Sequence, residues 1–152
     1  DAALLRDGDE VTLMDWGNCI IRAVSTNSLG SVVSVIGELH LEGSVKSTKL
    51  KLTWLPNSDE LLPLILSDFD YLITKKKVEE DDDFSDIVNH NSRIDSKALG
   101  DPNMRTLQKG DVLQLERKGY FIVDVPFQDI RTPITLFSIP DGRTKSWGVS
   151  CK

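Results

Sequence analysis

The chain reads as a mainly β protein made of two small antiparallel β-barrels, the second with too few strands of its own to close. Three features predict this class. Short runs rich in β-branched and aromatic residues recur along the sequence. Turn-forming clusters interrupt them: Asn27-Ser28-Leu29-Gly30, Pro56-Asn57-Ser58-Asp59, Gly100-Asp101-Pro102-Asn103, Lys109-Gly110-Asp111 and Pro140-Asp141-Gly142. Apolar residues at helical spacing are scarce.

Taken in order, strands are expected over 11–24, 32–41, 49–55, 71–74, 112–116, 120–125 and 134–139. The best helix is Asp81 to Val88. Its acidic residues suit the positive N-terminal end, and Phe84, Ile87 and Val88 share a face. One further helical turn is expected between Asn103 and Leu107. The basic run Lys75-Lys76-Lys77 meets an acidic run at Glu79, which places a boundary between 75 and 79. Residues 1–75 then supply one barrel and residues 76–152 part of another. No internal repeat is evident along the chain.

A length of 152 residues allows one good core or two small ones, and 39% hydrophobic with 28% charged residues is the balance of a globular protein. No apolar run approaches the ~20 residues that cross a bilayer, and no signal-peptide pattern opens the chain, so no membrane role is expected. Cys19 and Cys151 lie far apart; a buried thiol at Cys19 in a reducing cytoplasmic setting is expected over a disulfide. With no CxxC and two histidines, a structural zinc site is not expected. The net charge of −6 argues against wholesale phosphate binding, yet the six carboxylates between Glu79 and Asp86 account for all of it. Cations cluster elsewhere, so the surface is bipolar rather than uniformly acidic.

The most specific stretch is Leu113-Gln114-Leu115-Glu116-Arg117-Lys118-Gly119-Tyr120-Phe121, a β-hairpin with Leu113 and Leu115 facing a core. It leaves Gln114 and Arg117 as planar groups that can bond through two atoms at once, suited to base edges or phosphates. Around it, in order, come Met14-Asp15-Trp16-Gly17-Asn18, the segment from Lys46 to Leu55, the segment from Phe69 to Lys75, Gly100-Asp101-Pro102-Asn103-Met104-Arg105 and Ile139-Pro140-Asp141-Gly142-Arg143. This ordered set resembles the C-terminal anticodon-binding region of glutamyl-tRNA synthetases of the eukaryotic and archaeal type, over nearly the whole chain.

The resemblance implies two β-barrels of the type shared by the ribosomal protein L25 group and glutaminyl-tRNA synthetases. Residues 1–75 would be the distal barrel and 76–152 the returning half of the proximal one, whose outgoing half would precede residue 1. The C-terminal half should then expose strand edges or an apolar patch. The implied function is recognition of the anticodon loop of glutamate tRNA. ATP-dependent glutamylation, with magnesium, would be carried out in a separate domain, and no cofactor is expected in this fragment. The missing N-terminal part, and other synthetases or scaffold proteins, are the further partners implied. A protein-interaction module and a standalone L25-like RNA-binding barrel are the alternatives.

By resemblance Gln114 contacts the middle anticodon base and Arg117 the third. In a regular strand the two point to opposite faces, so they meet one ligand only if the strand bulges or ends near 117. Thr12 and Met14 stand where the glutaminyl pattern has arginines, which leaves first-base reading unassigned. Trp16 is a candidate to stack on a base, with core packing or a barrel cap as the competing role. Lys46, Lys49, Lys51, Lys75, Lys118, Arg143 and Lys145 are candidate phosphate contacts, each with a solvated role as the alternative. The acidic run 79–86 reads as a solvated linker rather than a metal site, for consecutive carboxylates do not converge on one ion without a shaped loop. His40 and His90 lack a nearby nucleophile in sequence, and there is no phosphate-binding loop, so catalysis within this chain is not expected.

Overall fold

A computed structural model describes residues 2–140, which form two compact units, one ending at Pro56 and the next starting at Asn57. Both are β-sheets, and helix is confined to short turns. In the first unit β1 (Glu10–Leu13), β2 (Gly17–Thr26), β3 (Val32–His40) and β4 (Lys51–Leu52) lie in the order β3-β2-β1-β4. Leu5, Val11, Cys19 and Ile21 form its core, with Leu13, Val24, Leu50 and Leu52 packed against them. Cys19 is buried and free, as its sequence context predicts, and burial raises its thiol pKa. The expected single run over 11–24 is a hairpin, broken at Met14-Asp15-Trp16 by the left-handed backbone of Asp15 (φ 59°).

The second unit orders β5 (Leu62–Phe69), β6 (Arg93–Gly100), β7 (Val112–Leu115), β8 (Gly119–Val125) and β9 (Ile134–Ser138) as β6-β5-β9-β8-β7. Leu62, Leu64, Leu66, Phe121, Val123, Ile134 and Leu136 fill one face together with Met104. Gly100 admits Met104 to this core, since a Cβ there would stand 2.5 Å from its sulfur. The mainly β class is as predicted. Two pairings, β1 with β4 and β5 with β9, are parallel rather than antiparallel. Neither sheet is closed into a barrel by strand pairing among the described residues.

The unit boundary falls at 56–57 rather than at 75–79, because β5 pairs with β6 and β9 and so belongs with everything after it. No strand forms over 71–74; a single bridge joins Ile73 to Val88. The expected helix over 81–88 shrinks to α1 (Phe84–Ile87), capped by the Asp83 carboxylate, which accepts from the Ser85 N–H. The turn expected at 103–107 is a 3₁₀ turn over Pro102–Thr106, capped in the same way by Asp101.

An internal repeat that the sequence conceals is plain in the backbone. In each unit a hairpin pairs a leucine with a glycine across three turn residues, Leu13 with Gly17 and Leu115 with Gly119. The middle turn residue is left-handed in both, Asp15 at φ 59° and Arg117 at φ 61°. The N–H of Trp16 donates to the Leu13 carbonyl and that of Lys118 to the Leu115 carbonyl. Before each hairpin the motif repeats again: Gly8 and Gly110 donate to Ile21 and Val123, and Ile21 and Val123 donate back to Asp9 and Asp111. Asp9 and Asp111 each accept a backbone N–H three residues upstream, from Arg6 and Gln108. Only glycine, aspartate and alternating apolar positions are shared, too few identities to stand out in the sequence.

Candidate nucleic-acid interface

Strand alternation sends one face of the five-stranded sheet into the core and leaves the other outward. Register places Gln114 opposite Tyr120, Ile122 opposite Phe137, Phe137 opposite Ser67, and Phe69 opposite Arg93. The outward face thus carries Gln114, Tyr120, Phe137, Phe69 and Arg93 across all five strands. Tyr120 and Phe69 are about half exposed. Phe69 meets Phe137 edge-on at 5.1 Å, and the Arg93 guanidinium lies 5.7 Å from the Phe137 ring centre. Arg93 donates to the Asp95 carboxylate at 2.9 Å and to the Ser67 hydroxyl at 3.2 Å, and Ser67 donates to the same carboxylate at 2.6 Å. Arg93 first, and Ser67 after it, hold the Asp95 carboxyl below the ordinary range.

β7 ends at Leu115, so Arg117 stands on the turn rather than on the strand. That removes the geometric objection to Gln114 and Arg117 serving one ligand. Arg117 and Lys118 line a pocket of about 260 Å³ with Asp68, Phe69, Tyr120 and Ser138, among others. Among the described residues, two cations, three aromatic residues (Phe69, Tyr120 and the largely buried Phe121) and one carboxylate therefore line the pocket at the tip of the hairpin. β7 is, among the described residues, the edge of its sheet, and Val112 and Gln114 on it are exposed.

The other predicted residues divide. Trp16 is half exposed and packs on Trp54 with ring centres 4.7 Å apart, while the Trp54 indole donates to the Met14 carbonyl. It caps the first hairpin and keeps one exposed flank. Lys49 is exposed beside a groove lined by Ser47, Thr48 and Leu50, and Lys46 is exposed in the same loop. Lys51 is turned inward: its ammonium donates to the carbonyls of Val45 and Thr48 and to the Thr48 hydroxyl, at 2.5 to 2.7 Å. Three acceptors match its three donors, so its task is to hold the loop. Lys75 pairs with Asp82 at 2.5 Å and Glu79 at 3.3 Å. Asp82 above all raises the Lys75 pKa, and Lys75 in turn lowers that of Asp82. The acidic run thus neutralises a predicted phosphate contact. Arg143 and Lys145 lie outside the described residues.

Thr12, unable to replace an arginine, instead joins a buried network in the first unit. Its hydroxyl bonds Asn18 and Thr48, and the Asn18 amide donates to Glu10 at 2.8 Å and to the Ser44 carbonyl at 3.1 Å. His40 Nδ1 lies 2.8 Å from the same Glu10 oxygen. Among the described residues no cluster of three or more His, Cys, Asp or Glu side chains is placed to hold a metal. Sequence reading overlooked Phe69, Tyr120, Phe137 and Arg93; the signal available for Tyr120 was its place opposite Gln114.

Comparison with known proteins points to one family. A family model described as the anti-codon binding domain of class I tRNA synthetases (E and Q) matches residues 51–124, which contain the hairpin and pocket cations. This segment belongs to the anticodon-binding family of class I synthetases. The chain is 59% identical over 143 residues to the cytoplasmic glutamate–tRNA ligase of Arabidopsis thaliana, an alignment covering 94% of this chain and 20% of that one. It is 43% identical over 144 residues to the corresponding cytoplasmic ligase of Saccharomyces cerevisiae, covering 95% and 20%. Against the bifunctional glutamate/proline–tRNA ligase of Drosophila melanogaster it is 39% identical over 154 residues, 95% of this chain and 9% of that protein. The chain thus spans about a fifth of the length of the monofunctional relatives.

Proposed function

We propose that this chain is the anticodon-reading part of a cytoplasmic glutamate–tRNA ligase. Its work is specificity: it holds the anticodon loop so that the distant acceptor end is correctly placed for glutamylation. The observation that carries this reading is the convergence of Gln114, Tyr120, Arg117 and Lys118 on one hairpin inside the segment matched by the family. Gln114 reads the middle base through its amide, Arg117 reads the third base, and Lys118 takes a neighbouring phosphate. Lys49 and Lys46 offer further phosphate contacts and Trp16 a second stacking surface. The first unit corresponds to the distal barrel. The second corresponds to the returning half of the proximal barrel; its β7, an edge among the described residues, and its exposed Val112 suit the pairing of further strands. ATP, magnesium and the chemistry of glutamate activation belong to the rest of the parent enzyme. Other synthetases or scaffold proteins would find the exposed Val33 and Ile36 of β3, an edge strand.

The test is equilibrium binding of the chain to glutamate tRNA and to a copy changed only at the middle anticodon base, at two salt concentrations. Preference for the cognate at both salts is expected, and Gln114→Ala should reduce that preference by about 1–3 kcal/mol. Equal binding that vanishes with salt would reduce the interaction to electrostatic attraction and refute base reading.

A further inference from the structure

We propose that Phe69 is the stacking platform for one unpaired base of the anticodon loop, and that Phe137 and Arg93 are positioning residues that hold its ring in place; this rests on the anticodon-loop reading above. Phe69 ends β5 on the outward sheet face, 47% exposed, on the wall of the pocket that also contains Tyr120, Arg117 and Lys118. A lone exposed phenylalanine would lose rotamer freedom on stacking. Phe69 has already lost much of it. Its ring rests edge-on against Phe137, Phe137 carries the Arg93 guanidinium, and Arg93 is bonded to Asp95 and Ser67, with Ser67 fully buried. Such a chain of fixed groups is preorganisation, which strengthens binding by lowering its ordering cost.

Charge selects the occupant. Among the described residues the pocket lining carries the side chains of Arg117 and Lys118 beside Phe69 and Tyr120, with Asp68 at its edge, which suits a group that is apolar on its face and anionic at its edge. A nucleotide fits that description. Its base lies on Phe69 while its phosphate turns toward Arg117 and Lys118, away from Asp68. A volume of about 260 Å³ suits one splayed base rather than a helix or an extended peptide segment. The same sheet face carries Gln114 beside Tyr120, so the stacked base and the base read by Gln114 belong to one loop.

The experiment uses the 152-residue chain and a series of stem-loops with the glutamate anticodon loop, each lacking the base at one loop position. For the wild type, one abasic position should weaken binding on the order of tenfold. Phe69→Ala should weaken the intact RNA by a similar factor and lose all further sensitivity at that position alone, while Phe69→Trp retains both. Arg93→Ala should flatten the same position of the profile and Arg93→Lys should restore part of it, a pattern that general loss of structure would not produce. 2-Aminopurine placed at that position of the RNA should be quenched by the wild-type protein, a readout that needs no variant to fold. Wild-type preference for the middle base together with an unchanged profile in Phe69→Ala would overturn the platform and leave the anticodon reading intact. Absence of quenching at every loop position would overturn it as well. No middle-base preference in the wild type would refute the anticodon reading, and the platform with it.

Discussion

Asn18 is the residue on which the first unit's polar interior turns, and Asn18→Ala should cost that unit about 3.5 kcal/mol. Asn18 is fully buried and makes three hydrogen bonds: it accepts from the Thr12 hydroxyl at 2.9 Å, and its amide donates to Glu10 and to the Ser44 carbonyl. The two neutral bonds contribute about 1 kcal/mol each, and the bond to the carboxylate about 1.5–3 kcal/mol. Glu10 is part exposed, so water replaces some of what it loses and the lower end of that range applies. Thr12 keeps Thr48, but the Ser44 carbonyl loses the donor that ties the 42–48 loop to the hairpin. The assay is urea unfolding followed by tryptophan fluorescence, because Trp16 and Trp54 both belong to this unit and pack on one another. Leu29→Ala, at a site 88% exposed, is the control and should change stability by less than about 0.5 kcal/mol. A loss below about 1 kcal/mol in Asn18→Ala would refute the reasoning, for it would mean that the network is hydrated rather than sealed.

Four further outcomes are expected. Gly100→Ala should destabilise the second unit by about 1–3 kcal/mol, because the new methyl meets the Met104 sulfur and the Leu64 methyls; Gly100→Ala with Met104→Ala should lose less than the sum of the two, as thermal melts can measure. At position 117 the left-handed backbone makes glycine better than alanine, so Arg117→Gly should be more stable than Arg117→Ala by about 1 kcal/mol while both bind tRNA weakly. The Glu10 carboxyl is held below its ordinary 4.5, first by the Asn18 amide and next by His40. Its contribution is therefore present above that value and lost as pH falls through the depressed one, so Glu10→Gln should flatten the acid limb of a stability–pH curve followed by fluorescence. Lys49→Ala should lower the salt dependence of tRNA binding by about one unit, whereas Lys51→Ala should leave the slope unchanged and loosen the 45–48 loop, visible as faster amide exchange there.

What the sequence shows and what it hides have a common physical origin. The hairpin at 113–121 was legible because one of its faces is wet: Leu113 and Leu115 alternate with polar neighbours, and Gly119 marks the turn. β5 was hidden because it is the most enclosed strand. Leu62, Leu64, Leu66 and Ser67 are all buried, so it has no polar alternation to betray it, and Pro63 reads as a breaker. Pro63 is tolerated because the ladder with β9 begins only at Leu64. β6 failed in the opposite way. Its inward residues are Ile94, Ser96, Ala98 and Gly100, small enough to pack but too weak to signal a core. At the proposed interface, Gln114, Arg117 and Lys118 could be read from one local motif. Phe69, Arg93 and Phe137 could not, because only the parallel pairing of β5 with β9 and the antiparallel pairing with β6 bring them together. Lys51 and Lys75 look like surface cations in the sequence because their partners, Thr48 and Asp82, follow from loop conformation rather than from strand pattern.

The repeated hairpin shows why one frame serves two ends. In the first unit the edge of β1 is covered: Thr12 donates its N–H to Leu50 and Met14 to Leu52, β4 runs alongside, and Thr12 and Asn18 close into a sealed network. In the second unit the corresponding strand, β7, is an edge among the described residues, and the corresponding pair, Gln114 and Tyr120, faces outward. Identical backbone turns then present an aspartate in one case and an arginine in the other. On the proposed anticodon reading, recognition resides less in the hairpin than in what covers it. A reading surface arises where the outward pair is left open, where the turn residue is cationic, and where a neighbouring strand end supplies an aromatic ring. Only the second hairpin meets all three conditions. Exchanging Asp15 for arginine would supply the cation alone, and should leave discrimination at the middle anticodon base unchanged.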